Sequence, residues 1–93
     1  MTKSTLAGIL TRRLELKDPQ FFLEKVGGRL VGDIVSPTFA GKRDHKRQAM
    51  IWDALEAELG PEGTKMLGLL LAYTPQEWSL GREDSAGGKK KVG

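Results

Sequence analysis

Apolar and polar positions follow the periods of helices and strands along this chain, and the clearest pattern lies in its middle. There, one set of residues recurs at steps of three and four, the spacing that places side chains on one face of a helix. The set is Gln48, Ile51, Trp52, Leu55 and Leu59. Asp44 before the pattern can cap free N–H groups, and Gly60-Pro61 after it is a stop signal. The pattern therefore predicts a helix over about residues 45–59, with Ile51 and Leu55 buried.

Shorter patterns before this helix predict one further helix and two strands. An apolar stripe predicts a first helix over about residues 5–16, which ends before Pro19 because the residue before a proline is pushed out of the helical region. Strand-like runs at about residues 21–26 and 29–36 flank Gly27-Gly28, a pair typical of a tight turn. The two runs therefore predict an antiparallel hairpin.

Residues 65–80 complete the predicted fold. The nearly unbroken apolar run over residues 65–73 predicts a third strand, parallel to the second because the chain returns to the sheet after a helix. Thr74, Pro75 and Glu77 form a capping box with proline at the first helical position, which predicts a short final helix. We expect Trp78 to return to the core from that helix. The predicted fold is α+β, in the order αββαβα, with a three-stranded mixed sheet and helices on one face.

Length and charge predict one domain with a local basic surface. Ninety-three residues allow a single domain, which we place at residues 1–80. Residues 81–93 are mainly glycine, serine and charged residues, so a disordered basic tail is expected there. The net charge is +3, but the tail supplies two of these three charges. The rest of the chain is nearly neutral, and any basic patch on it is a local feature.

The composition excludes several kinds of chemistry. The absence of cysteine excludes disulfides, thiol catalysis and thiolate metal sites. His45 is the single histidine and has no nucleophile at recognisable spacing, so we expect a protein that is not an enzyme and has no metal or cofactor of its own. No apolar run approaches the length of a membrane span, and no secretory signal is recognisable. A cytoplasmic monomer is the default expectation.

Four cations cluster at the start of the predicted central helix, and acidic residues follow toward its end. The cations are Lys42, Arg43, Lys46 and Arg47. This order is the reverse of what the helix macrodipole favours, so local helix stability does not explain it. Free N–H groups and nearby cations form a candidate phosphate site, with Lys46 and Arg47 expected to point into solvent. The alternative interpretation is an ordinary solvated charged surface.

A set of residues between the second predicted strand and the final helix carries a family pattern. The set is Val35-Ser36, Phe39, Gly41-Lys42, Arg47, Ile51, Leu55, Thr74-Pro75, Glu77 and Trp78. It resembles the BolA family, over about residues 6–78, and V-S-x-x-F-x-G-K and T-P-x-E-W are its most specific parts. The resemblance implies a fold similar to type II KH domains. It also implies structural roles for Phe39, Gly41, Thr74, Pro75, Glu77 and Trp78.

The resemblance implies two alternative binding functions. Some BolA-like proteins are DNA-binding transcriptional regulators, and the retained Phe39, Gly41, Lys42 and Arg47 resemble their nucleic-acid-facing turn and helix. Others are partners of monothiol glutaredoxins, with which they share an iron–sulfur cluster. In those proteins the cluster is bound by a histidine in an H-A-L motif before the third strand.

The family's cluster ligands are missing from this sequence. Residues 66–68 read Met-Leu-Gly at the place of the H-A-L motif, so the ligand histidine is absent. The turn at residues 26–29 is short and lacks the family's cysteine or histidine, and the R-H-R motif keeps only Arg47. Because the thioether of Met66 replaces imidazole poorly on cluster iron, shared cluster ligation is not expected in the usual manner. Nucleic-acid binding is therefore the first functional expectation, and partnership with a monothiol glutaredoxin is the alternative.

Overall fold

The fold consists of helices packed on a three-stranded sheet. The computed structural model describes residues 1–80, and its elements are α1 (Lys3–Leu14), β1 (Gln20–Val26), β2 (Arg29–Val35), a 3-10 turn (Pro37–Phe39), α2 (Asp44–Thr64) and β3 (Leu67–Tyr73). Residues 75–80 are also helical and are called α3. None of the helices in this part of the chain has the length and hydropathy needed to span a bilayer. The basic tail expected at residues 81–93 lies outside the described residues.

The strand pairing confirms the predicted fold class. The strands lie in the order β1-β2-β3. β1 and β2 are antiparallel and joined by Gly27-Gly28, with Gln20 opposite Val35 and Val26 opposite Arg29. β3 pairs in parallel with the other side of β2. The sheet is therefore the predicted three-stranded mixed sheet.

Gly32 in β2 lies where two backbones approach closely. Its φ is 150°, and a Cβ atom on it would lie 2.1 Å from the carbonyl oxygen of Phe22 in β1. The pairing of β2 with β3 is also irregular between Leu30 and Gly32. Only glycine fits this position without a shift of the backbone.

The core lies between one face of the sheet and the two long helices, α1 and α2, which contact each other. Its largest fully buried side chains are Leu6, Leu10, Leu30, Ile34, Phe39, Ile51, Leu55 and Leu70. The predicted burial of Ile51 and Leu55 is therefore confirmed.

The buried face of α2 is turned slightly from the predicted one. Its buried residues are Arg47, Ile51, Ala54 and Leu55. Gln48 and Trp52, which belong to the predicted face, are only partly buried. The expectation that Arg47 points into solvent is therefore wrong.

The ends of the helices follow local capping. α1 begins at Lys3 because the hydroxyl of Thr2 accepts a hydrogen bond from the N–H of Thr5 at 3.1 Å. It ends at Leu14, after which Glu15 adopts a left-handed conformation with φ 51°. The regular part of α2 is interrupted at Gly60 (φ 73°, ψ 176°), at the predicted stop signal, and one more turn extends the element to Thr64.

Replacing Gly8 with alanine is expected to raise the free energy of unfolding by about 0.5–1 kcal/mol. Gly8 lies on the exposed side of α1, and a Cβ atom there would meet no heavy atom within 4 Å. The gain arises because alanine loses less backbone entropy than glycine when the helix forms. Urea denaturation of the two chains measures the difference. A lower free energy of unfolding in Gly8→Ala would contradict the helical assignment at this position.

Candidate functional site

The loop between β2 and α2 is held by a network of hydroxyl groups and by a buried ring. Ser36 is fully buried, and its Oγ donates to the carbonyl oxygen of Lys17 at 2.7 Å and accepts from the N–H of Thr38 at 3.2 Å. The hydroxyl of Thr38 accepts from the N–H of Lys17 at 2.9 Å. Phe39 belongs to the hydrophobic core. These contacts fix the chain where it enters α2.

The start of α2 carries no capping side chain. Gly41 has φ 78°, and Arg43 is the N-cap residue without a side-chain capping bond. Asp44 is the first helical residue, so the prediction that it caps the helix is wrong. Its carboxylate lies in the first turn, where the macrodipole favours negative charge. The first-turn N–H groups are therefore not occupied by a capping side chain.

The four predicted nucleic-acid-binding cations do not share one surface. Arg43 and Lys46 are exposed. Lys42 is half-buried, and its Nζ donates to the carbonyl oxygen of Thr38 at 3.0 Å. Arg47, in contrast, is only 5% exposed. The loop and first turn thus present Lys42, Arg43 and Lys46, and Arg47 lies apart from them.

Arg47 forms a structural ion pair with Glu77. Its Nη1 and Nη2 donate to the two carboxylate oxygens of Glu77 at 2.7 and 3.1 Å. Nη1 also donates to the carbonyl oxygen of Ala72 at 3.1 Å. A bidentate contact of this kind is both strong and directional. It connects α2 to the end of β3 and to α3.

The ion pair shifts the pKa of both partners. The hydrogen bond from Arg47 lowers the pKa of Glu77 to about 2, and the N–H of Thr74 contributes to the same shift. The same bond to Glu77 raises the pKa of Arg47 above its ordinary value. Within residues 1–80, the buried Nε of Arg47 has no hydrogen-bond partner. The buried charge therefore depends on Glu77 and on the carbonyl group of Ala72.

One sequence signal could have placed Arg47 in the interior. Arg47 stands one helical repeat before Ile51 and two before Leu55, so helical spacing places all three on one face. Its partner, Glu77, is 30 residues away, and a local pattern contains no sign of that contact.

The predicted capping box is present at the start of α3. The N–H of Thr74 donates to Oε1 of Glu77 at 2.9 Å, and the N–H of Glu77 donates to Oγ1 of Thr74 at 3.2 Å. Pro75 is the first helical residue. Glu77 thus both caps α3 and neutralises Arg47.

Trp78 lies on the face of the sheet opposite the core, so the prediction that it fills the core is wrong. Its ring stacks on Phe22 with 4.9 Å between centroids and 15° between planes, and it tilts against Tyr73 at 5.4 Å. Phe21 and Ala72, the sequence neighbours of these two partners, pack into the core. Because side chains alternate along a strand, Phe22 and Tyr73 point to the other face. Trp78 therefore covers part of the face that α1 and α2 leave open, and the prediction that the helices lie on one face holds for α1 and α2 but not for α3.

The positions that correspond to the family's cluster ligands meet at one end of the sheet. The N–H of Leu30, just after the hairpin turn, donates to the carbonyl oxygen of Met66 at 2.9 Å. Met66 is 47% exposed, but it offers only a thioether. Residues 1–80 contain no group of three or more His, Cys, Asp or Glu side chains that could hold a metal ion. The residues present at this end do not fit shared ligation of an iron–sulfur cluster.

Solved structures of BolA-like proteins are similar to this chain over most of its length. BolA1 from Arabidopsis thaliana matches with a TM-score of 0.59 and 25% identity, over 80% of this chain and 92% of its own. The BolA domain of SufE1 from Arabidopsis thaliana matches with a TM-score of 0.59 and 27% identity, over 83% of this chain and 98% of its own. A bol-like protein from Babesia bovis shares the fold, with a TM-score of 0.59 and 21% identity, over 88% of this chain and 94% of its own. No protein-family model and no curated protein matches the chain.

Proposed function

Because this chain is a BolA-like protein, we propose that it is a non-enzymatic binding module that binds nucleic acid through the loop and first turn of α2. The observation that carries the proposal is the placement of Arg43 and Lys46, both exposed, beside Lys42 in an anchored segment. The uncapped N–H groups of the first turn add to the attraction for phosphate. Arg47 is not part of this site, because Glu77 holds its guanidinium.

Three cations predict a measurable dependence on salt. Neutralising about three phosphates on duplex DNA gives a slope of about −2.7 in a plot of log affinity against log salt concentration. The affinity should then fall by about 40-fold between roughly 50 and 200 mM salt. Fluorescence anisotropy of a labelled oligonucleotide measures both quantities. Serine in place of Lys89, Lys90 and Lys91 removes their contribution from the measurement.

Replacing Arg43 and Lys46 with glutamine in that background should reduce the slope to about −0.9, because one cation remains. Lys3→Gln with Lys25→Gln is the matched control, since it removes the same charge from exposed positions on α1 and β1. The control should leave the slope unchanged. Equal slopes for the two double variants would rule out this loop as the binding site.

A second candidate function is suggested by the apolar end of the sheet. Val26 and Leu69 are 54% and 65% exposed, and they lie with the exposed Met66 toward the end that carries the hairpin turn. Apolar side chains left open to water at one end of a sheet are surface that a protein partner could cover. An adaptor role with a monothiol glutaredoxin would use this end. Titration with such a glutaredoxin should then shift the backbone amides of residues 65–68, whereas an oligonucleotide should shift those of residues 39–46.

A further inference from the structure

A groove lies between the first turn of α2 and the outer edge of β3. It has a volume of about 360 Å³. Its lining residues are Asp44, Arg47, Gln48, Leu69, Leu71, Ala72 and Tyr73. Leu69 is 65% exposed, and Leu71 and Tyr73 are partly exposed. The groove therefore presents aliphatic and aromatic surface to solvent beside a helix start.

Side chains of α2 donate hydrogen bonds to backbone carbonyl groups along the outer edge of β3. Nε2 of Gln48 donates to the carbonyl oxygen of Leu70 at 2.7 Å, and Nη1 of Arg47 donates to the carbonyl oxygen of Ala72 at 3.1 Å. Because these two carbonyl groups already accept from α2, the edge is a poor template for another strand. A partner at the groove would contact side chains, mainly those of Leu69, Leu71 and Tyr73.

Carboxylates lie in and beside the groove, and the cation among its lining residues, Arg47, is held by Glu77. Asp44 lines the groove directly. Asp33 is the β2 neighbour of Leu71 in the parallel register, so both side chains point to the same face of the sheet. Within residues 1–80, neither Asp33 nor Asp44 forms a salt bridge, whereas Glu77 is neutralised by Arg47.

The pKa values of three groups agree with this charge distribution. Partial burial raises the pKa of Asp33. Burial also raises the pKa of Tyr73, and the charges of Asp33, Asp44 and Glu77 add to the increase. The hydrogen bond to Glu77 raises the pKa of Arg47, and the charge of Asp44 also helps to raise it. Carboxylates beside an apolar surface repel phosphate and attract a cation.

We propose that this groove binds a basic, partly apolar segment of a partner protein, in which arginine or lysine alternates with aliphatic residues. The aliphatic side chains would cover Leu69, Leu71 and Tyr73, and the cations would lie toward Asp33 and Asp44. The groove differs from the nucleic-acid loop in the sign of its charge, because the groove offers carboxylates and the loop offers cations. The N-cap and first turn of α2 carry Arg43 and Lys46 for one surface and Asp44 for the other. The proposal does not depend on nucleic-acid binding.

The test uses the full chain and a defined probe. The probe is an acetylated, amidated peptide of sequence GLRLRLG, titrated into the isotope-labelled protein while backbone amide shifts are recorded. Saturable shifts at Leu69, Leu71 and Tyr73 are expected. The peptide GLELELG, in which glutamate replaces both arginines, should cause none.

Asp33→Asn and Asp44→Asn should each weaken the binding of GLRLRLG by about three- to fivefold, the range of a partly exposed charge pair. Glu56→Gln is the matched control, because Glu56 is exposed on α2, outside the groove, and the change removes one negative charge. It should leave the affinity unchanged. The amide spectrum of each variant shows whether it is folded.

Four results of the peptide titrations would overturn the proposal. They are the absence of shifts with GLRLRLG, equal binding of GLELELG, equal effects of Glu56→Gln and Asp33→Asn, and binding only after Lys89, Lys90 and Lys91 are replaced by serine. The last outcome would identify residues 81–93 of the chain itself as the occupant. An oligonucleotide that shifts Leu69 and Leu71 would also assign the groove to nucleic acid. Silence of the oligonucleotide at every residue would instead refute only the proposed nucleic-acid function.

Discussion

Replacing Leu55 with alanine is expected to lower the free energy of unfolding by about 2–5 kcal/mol. Leu55 is fully buried in the core that α1 and α2 form with the sheet. The substitution removes apolar surface from that core and leaves a cavity that the neighbouring side chains fill only in part. Urea denaturation followed by circular dichroism measures the loss.

The adjacent Glu56 provides the control for this experiment. Glu56 is exposed, and Glu56→Ala should change the free energy of unfolding by less than about 0.5 kcal/mol. Both substitutions leave alanine on the same turn of α2, so helix propensity does not explain a difference between them. An unchanged unfolding midpoint in Leu55→Ala would mean that the buried face of α2 is assigned incorrectly.

The success at Ile51 and Leu55 and the error at Arg47 have one physical origin. Apolar periodicity identifies the buried face of a helix because burial of apolar surface is favourable wherever it occurs. A charged residue on the same face is assigned to solvent, since an isolated buried charge is costly. Arg47 is buried only because Glu77 neutralises it. The neutralising carboxylate lies in a distant segment of the chain, so no pattern in the sequence around Arg47 indicates it.

A similar limit applies to Trp78. The capping box of Thr74 and Glu77 predicts the start of α3 because its hydrogen bonds lie within four residues. The face of the sheet that α3 covers depends on ring contacts of Trp78 with Phe22 and Tyr73. Phe22 is remote in sequence, and an aromatic residue on a short helix fits either face equally well by pattern. Local chemistry thus predicts the elements and their order, but not which side chains meet.

At the candidate site, too, local sequence predicts neighbouring residues but not contacts between distant segments. Sequence brings Lys42, Arg43 and Lys46 together because they are neighbours in the chain. It does not reveal that Asp44, on the same turn, borders a groove beside Leu71 and Tyr73. That groove requires β3 to return parallel to β2 and next to α2. A surface made by one segment is therefore predictable here, and a surface made by two segments is not.

Replacing Glu77 with glutamine is expected to lower the free energy of unfolding by about 2–3 kcal/mol. This loss is at or below the smallest losses seen when one partner of a fully buried ion pair is removed. Arg47 is only 7% exposed in its side chain, whereas the side chain of Glu77 is 46% exposed. The loss of the carboxylate therefore leaves a buried positive charge without its counter-charge. Glutamine can still accept from the N–H of Thr74, so the cap of α3 is retained. The effect thus reports on the ion pair.

Replacing the other partner, Arg47, should lower the free energy of unfolding by less. Arg47→Met keeps most of the buried volume and removes the charge, and the half-exposed carboxylate of Glu77 returns to water. In the Arg47→Met background, Glu77→Gln should then change the free energy of unfolding by less than about 0.5 kcal/mol. Full additivity of the two substitutions would contradict the pairing of Arg47 with Glu77.

Acid unfolding provides an independent measurement of the same pair. The pKa of Glu77 is lowered from 4.5 to about 2 in the folded protein, so the carboxylate binds its proton less readily there than in the unfolded chain. Its contribution to stability is therefore complete above the ordinary pKa and is lost as the pH falls toward the folded value. Unfolding midpoints between neutral pH and about pH 3 should decrease more steeply in the wild type than in Arg47→Met, because Arg47 keeps Glu77 ionised to a lower pH. Parallel curves for the two proteins would show that Arg47 does not control the ionisation of Glu77.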